Sequence, residues 1–396
     1  MFLSRTRVVK FGNLVDSIAA RAFYKTSIHG VLDLPVSLNV IGRQAFAGTD
    51  VEKVLIHADI KAPKYPTIYT LYGNSVFAKC SKLEEVVVGE GCTKLDVGFS
   101  YCDYLRKVTL PSTLKYLGSD SSKSGNYIFD HCSRLEEINL PSGIVFIGRS
   151  CFAKTSLKRI VIPDLVESIG IYAFCGCESL EDVDLSSNIE EIGQSCFEGC
   201  HLLKKMVFPE SVRAVGRDAF ADCRSLSEVY FSGSILKIEN NAFKNCTSLI
   251  SVELPVNLDR LGNSAFEGCT ALIRLALNDG LESLETSTFK NCTSLNDVYL
   301  GKSLSQIGKE CFYNCSGLSS LEIPRNVRSF SDYTFAYSGI QELKVHWDSP
   351  ISVKESVFTG LNLSRMRLEV PRGTQQSYLQ ADVWGRFGEI YERTDM

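Results

Sequence analysis

The chain has 396 residues, 44% hydrophobic and 22% charged, with a formal net charge of −4. That composition belongs to a folded, soluble chain, and its charge supplies no basic footprint for nucleic acid. No apolar run reaches the roughly 18 residues a membrane-spanning helix needs, so no transmembrane segment is expected. The opening residues, Met1-Phe2-Leu3-Ser4-Arg5-Thr6-Arg7, lack the apolar core of a signal peptide. Two locations are therefore compatible with the chain: the cytoplasm, or the cell exterior with an export signal upstream of Met1.

A length prior would suggest two or three domains, but an internal repeat overrides it. Phenylalanines fall at Phe23, Phe46, Phe77, Phe99, Phe129, Phe152 and Phe174. They continue at Phe197, Phe220, Phe243, Phe266, Phe289, Phe312, Phe335 and Phe358, every step from Phe174 being 23 residues. A unit reads Leu261-Gly262-Asn263-Ser264-Ala265-Phe266-Glu267-Gly268-Cys269, with leucines following at Leu272, Leu275 and Leu277. A period of this length with this leucine spacing signals leucine-rich repeats. About fifteen coils are expected, in one curved solenoid roughly 70 Å long at the strand spacing.

Within a coil each position has a physical reason. Apolar pairs two apart, such as Val252 and Leu254, have the alternation of a short strand with one buried face. Leu249 anchors the turn into that strand. Pro111, Pro141, Pro209, Pro255 and Pro324 follow the strand, where a residue without an N–H ends the ladder. Gly42, Gly148, Gly170, Gly193, Gly216, Gly262 and Gly308 share one phase, which predicts a tight turn. The Ala-Phe step is expected to be a short helical turn that drives the ring inward, so that stacked rings form a spine.

Of the fifteen cysteines, Cys80, Cys102, Cys132, Cys177, Cys200, Cys223, Cys246, Cys269, Cys292 and Cys315 sit three after the phenylalanine. Thr26, Thr49, Thr155 and Ser338 replace them in other coils, so the site does not require a thiolate. Cys151, Cys196 and Cys311 precede the phenylalanine, where Ala is commonest and Cys acts as a small apolar residue. Cys92 and Cys175 fit neither class. Coils stacked roughly 4.8 Å apart keep parallel side chains slightly too far apart for a bridge. A row of equivalent ligands cannot converge on one tetrahedral metal. Buried free thiols are expected. Two coils are longer, with insertions around 57–72 and at 119–126, between strand and phenylalanine. Tolerated surface loops are the plainer reading, binding loops the other.

Gly-x-x-Ala-Phe-x-x-Cys-x-x-Leu-x-x-Val-x-Leu-Pro resembles the BspA-like leucine-rich repeat of bacterial and protist surface proteins, over about residues 14–371. The tail, Val370-Pro371-Arg372-Gly373-Thr374 with Tyr378, Ala381, Trp384, Phe387 and Ile390, is similar to the C-terminal cap of Bacteroidetes members. The expected organisation is a solenoid over 1–371 and a cap over 372–396, with Trp384 and Phe387 as plugs. The expected fold class is an α/β repeat solenoid, a right-handed superhelix with a parallel β-sheet on its concave face. The resemblance implies adhesion, surface display and binding of host matrix proteins, and supplies no catalytic motif.

The five histidines, His29, His57, His131, His201 and His346, are scattered in phase, and no zinc-protease, Walker or nucleophile-elbow motif occurs. No enzyme activity, cofactor or metal is expected. Asn245-Cys246-Thr247, Asn291-Cys292-Thr293 and Asn314-Cys315-Ser316 fit the N-glycosylation pattern. The repeat itself generates that pattern, so they read as structural.

Charge alternates from coil to coil just before the strand: Glu84-Glu85, Arg106-Lys107, Glu136-Glu137, Lys158-Arg159, Glu181-Asp182 and Lys204-Lys205. On adjacent parallel strands opposite charges should face each other and fix register. A polyampholyte docking surface is the other reading. From Ser227 the alternation stops, and the outward strand position carries Tyr230, Glu253, Ala276, Tyr299 and Glu322. Exposed aromatic and aliphatic residues on a strand face suit a binding patch. The candidate ligand site is Tyr230, Ile250, Glu253, Ile273, Arg274 and Tyr299. The expected activity is non-catalytic binding of a protein or glycan, host molecules included, by a monomer at the cell surface. The alternative is an intracellular interaction scaffold.

Overall fold

The computed structural model describes residues 9–61, 75–118 and 127–394. Both insertions lie mostly outside these residues. The chain folds as two compact units, 1–203 and 204–396.

In the C-terminal unit each coil from Lys205 to Phe330 contributes two short strands to two parallel ladders, and the later coils add strands to the first ladder alone. The first ladder holds Lys205–Val207 beside Glu228–Tyr230. It resumes with Ser251–Glu253, Arg274–Ala276 and Asp297–Tyr299, in a register advancing by one 23-residue period per coil. Ser320–Ile323, Glu342–Val345, Arg367–Val370 and Glu389–Glu392 complete it. The alternation is as the sequence demands: Val252 and Leu275 are buried, and the residues flanking them are wholly or partly exposed. The second ladder was not foreseen. Two-residue strands, Ala214–Val215, Lys237–Ile238 and Arg260–Leu261, pair just ahead of the phenylalanine turn. Ser283–Leu284, Gln306–Ile307 and Ser329–Phe330 do the same.

The N-terminal unit repeats the plan. His29–Asp33, Asp50–Ile56, Glu85–Val88 and Lys107–Thr109 form the first ladder, and Arg159–Val161 pairs with Asp182–Asp184. Opposite charges meet across it as expected. Glu85 binds Lys53 and Lys107, each at 2.8 Å. Lys158 binds Glu136 at 2.6 Å, and Arg159 reaches Asp182 at 3.3 Å and Asp184 at 2.6 Å.

The core is a spine of parallel phenylalanine rings. In the N-terminal unit the steps from Phe23 to Phe197 have centroid separations of 4.9–5.9 Å. From Phe220 to Phe358 they are 5.3–6.0 Å. Phe46, Phe174 and Phe266 are fully buried, each burial worth about 1.5–3 kcal/mol. Phe11 packs edge-on against Phe23 and Phe46 at the first described coil of the spine.

The architecture is a β-solenoid with little helix, not the α/β arrangement expected. The Ala-Phe segment is a pair of tight turns with left-handed residues on either side of the ring, such as Asn241 and Asn245 around Phe243. The single α-helix among the described residues is Gln375–Leu379, in the C-terminal tail. The glycine phase has a different cause as well. Gly262 has no positive φ, but a Cβ there would lie 2.5 Å from the backbone nitrogen of Asn240. Close approach of consecutive coils, not turn geometry, selects glycine.

At the C-terminal end the tail folds onto the last coil. Tyr378 and Trp384 are buried, and both Trp384 and Phe387 pack against Phe358. The Tyr378 hydroxyl donates to the carbonyl of Trp347 at 2.9 Å, and Trp384 Nε1 to that of Ile351 at 2.8 Å. Because Glu389–Glu392 adds a strand to the first ladder, the tail extends the sheet as well as packing on Phe358.

Candidate functional site

The six predicted residues all lie on the first ladder of the C-terminal unit or at its entry, and all six are exposed. Arg274 is also engaged: its Nε lies 3.2 Å from Asp297 on the next strand. Five of the six form two rows rather than one patch, and Arg274 stands at the first position of its strand, beside Ser251 and Asp297. Tyr230, Glu253 and Tyr299 occupy the outward strand position, with Ala276 registered beside both Glu253 and Tyr299. Ile250 and Ile273 occupy the strand entry on consecutive coils, where the amide of Ile273 donates to the carbonyl of Ile250 at 2.8 Å. The two isoleucines are thus immediate neighbours, 51% and 45% exposed.

The tyrosines are three coils apart and their hydroxyls are already engaged. Tyr230 donates to Glu228 at 3.0 Å, and the Lys205 ammonium sits 4.8 Å from its ring centroid. Tyr299 donates to Asp279 at 2.6 Å, and Asp279 also accepts from the Lys302 amide at 3.0 Å. The hydrogen bond to Glu228 holds the Tyr230 phenol above its ordinary range, and that to Asp279 does the same for Tyr299. Asp279 is correspondingly held below the usual carboxylate range, first by Tyr299 and then by the Lys302 amide. Both rings therefore present apolar surface whose hydroxyl donor is already committed, leaving the oxygen as an acceptor.

Sequence reasoning missed two features of this surface. Val207 is registered beside Tyr230 and is equally exposed; it follows Lys204-Lys205 and was counted with the charged coils. The charge pairing whose doublets stop at Ser227 also returns farther on, beginning with Arg274 and Asp297. Arg367 binds Glu342 at 3.2 Å and Glu389 at 3.0 Å, and Arg393 binds Glu369 at 2.8 Å. The signal was single charges at one strand position, not the doublets that marked the earlier coils.

Two surface depressions lie away from the predicted residues. One of about 610 Å³ is lined by Glu136, Asn139, Lys158, Arg159 and Val161. The other, of about 750 Å³, lies beside the tail, between Glu355, Phe358, Asn362 and Arg386. Among the described residues no group of three or more His, Cys, Asp or Glu is placed to hold a metal. No helix among them is long and apolar enough to cross a membrane.

The BspA type Leucine rich repeat region, in six copies, matches residues 4–124, 122–250 and 237–364. The chain belongs to the BspA-type leucine-rich-repeat family. A leucine-rich repeat protein from Bacteroides ovatus is 24% identical over 86% of this chain and 92% of its own, with a TM-score of 0.60, a likeness of fold. A T. pallidum leucine-rich repeat protein is 29% identical over 44% of this chain and 82% of its own, with a TM-score of 0.40. A leucine rich cell surface protein from Faecalibacterium prausnitzii is 17% identical over 93% and 89%, with a TM-score of 0.45. No curated protein sequence matches. BspA-type membership points to a protein-binding module, and no enzyme family matches the chain.

Proposed function

We propose that this BspA-type protein is a non-catalytic adhesion module of the cell surface that holds a protein ligand on the first ladder of its C-terminal unit. Ile250 and Ile273 carry the reading. They are adjacent, half-exposed aliphatic side chains at a repeat position that the N-terminal unit fills with charge. Half-exposed aliphatics on a ladder that also presents two exposed tyrosine rings are the makings of an interface centre, which gains by excluding water. Glu253 and Arg274 would supply its polar rim. In this reading the ladder lines the concave face of a right-handed superhelix, the protein acts as a monomer, and residues 372–396 serve as its cap. A second reading, an intracellular scaffold, is favoured by fifteen unbridged cysteines.

Binding of the intact chain to immobilised matrix proteins, alongside a glycan array, tests the proposal. A protein ligand whose binding is lost on Ile250→Asp with Ile273→Asp is expected. Recognition confined to glycans, or unaffected by that double variant, would overturn the assignment. Labelling of intact, unpermeabilised cells by antibodies to the chain separates surface display from the intracellular scaffold.

A further inference from the structure

The two units treat one surface differently. It is the turn face, formed in each coil by the residues two and three before the spine phenylalanine and one and two after it. In the C-terminal unit its cations are neutralised locally: Arg217 pairs with Asp218 at 3.0 Å, Lys244 with Glu267 at 3.1 Å, and Lys290 with Glu310 at 2.5 Å. Two after the ring stand Asp222, Asn245, Asn291 and Asn314. In the N-terminal unit those positions hold Lys25, Lys79 and Lys154, all exposed. Three carboxylates share this part of the surface. Asp96 pairs with Lys94 at 2.8 Å, Asp130 is buried against His131 at 2.9 Å, and Glu198 is half-buried.

Three cations of this face, Lys25, Lys79 and Arg149, rest on rings instead of carboxylates. Lys25 lies 5.3 Å from the Tyr24 centroid, Lys79 lies 5.6 Å from that of Tyr101, and Arg149 lies 5.2 Å from that of Tyr172. Such contacts hold a cation in place without cancelling its charge. We propose that the turn face of the N-terminal unit binds a sulfated linear glycan through Lys25, Lys79, Arg149 and Lys154. The coil repeat, 4.9–5.9 Å along the spine, is close to the length of one pyranose unit. The charges are spread over several coils, which suits an extended polyanion better than a compact anion. Nucleic acid fits less well, because single strands bind by stacking bases on open rings. Tyr101 stacks on His131 with centroids 4.1 Å apart and also carries Lys79. This site shares no residue with the strand-face site, so each can fail alone.

Calorimetric titration of the intact chain with a heparin octasaccharide tests the inference. Binding is expected, weakening steeply as salt rises from about 0.05 to 0.5 M. Lys79→Gln with Lys154→Gln should weaken it by about tenfold or more, while Lys244→Gln with Lys290→Gln leaves it unchanged. The melting temperature of the first double variant should match that of the parent, since Lys79 and Lys154 are both exposed. Failure to bind, equal affinity for the desulfated octasaccharide, for oligothymidylate or for polyglutamate, or retention of affinity by the first double variant would each overturn the proposal.

Discussion

The thiol of Cys269 donates to the carbonyl of Phe243 at 3.2 Å, and the amide of Cys246 donates to that same carbonyl. The pattern recurs through both units, as in Cys102 to Phe77 and Cys315 to Phe289. Thr49 and Thr155 instead donate to the phenylalanine carbonyl of their own coil, each at 2.8 Å. Burial was legible in the interchange of Cys with Thr and Ser; the hydrogen bond was not, because its acceptor is backbone of another coil. Cys269→Val keeps the bulk but removes the donor, and should cost about 0.5–1.5 kcal/mol in urea unfolding, with Cys269→Thr falling in between. Equal stability of the valine variant and the parent would refute the role. Burial also pushes the thiols of Cys269 and Cys315 up to about 12 from an ordinary 9.0. Between those values the folded chain keeps protons that the unfolded chain releases, so stability falls as pH rises from 9 towards 12. Replacing both cysteines with Thr should flatten that decline. Glycine gives a second test: Gly262→Ala meets backbone and should cost about 1–3 kcal/mol, whereas Gly233→Ala meets nothing within 4 Å and should be nearly neutral.

Among elements, the first ladder was legible because a three-residue strand with a buried centre leaves an alternating pattern. The second was not: two residues, one exposed and one buried, leave no period to read. The helical turn was misread because Ala-Phe suggests helix. Gly48, Gly176, Gly199 and Gly268, two after the ring and all at positive φ, were the contrary signal. For the candidate site, outward placement was legible from alternation. The capture of both tyrosine hydroxyls was not, since Asp279 lies on a loop twenty residues before Tyr299. The charged rungs make a testable contribution. Lys107 and then Lys53 hold the Glu85 carboxyl below its ordinary 4.5. Its folded pKa is depressed, so its contribution is present above pH 4.5 and lost as pH falls through the lower folded value. Glu85→Gln should cost about 1 kcal/mol near neutrality, and the gap from the parent should close in acid. A gap unchanged down to pH 3 would remove the rung from the account. The tail is a larger element effect: Trp384→Ala should cost about 3–5 kcal/mol, read as a lower melting temperature.

At the scale of the whole repeat array, coils should be removable, but not interchangeably. Excising residues 254–276 joins Glu253 to Leu277 in phase and preserves every strand register, so a purely one-dimensional stack should tolerate it. The position four before the ring argues otherwise. It runs Glu239, Gly262, Glu285, Gly308, alternating a side chain with none. At Gly262 a Cβ would lie 2.6 Å from the carbonyl carbon of Glu239, and at Gly308 one would lie 2.6 Å from that of Glu285. Removing one coil seats Glu285 against Glu239 and Asn240, where no Cβ fits. Removing two, residues 254–299, seats Gly308 there and restores the alternation. The one-coil deletion should therefore melt lower than the two-coil deletion, despite keeping more of the chain. Overpacking of about 1–3 kcal/mol corresponds to several degrees for an array of this size. Adding Glu285→Gly to the one-coil deletion should recover most of the loss. Should the shorter variant melt first, as a simple loss of coils requires, the alternation of glycine would have no part in coil order.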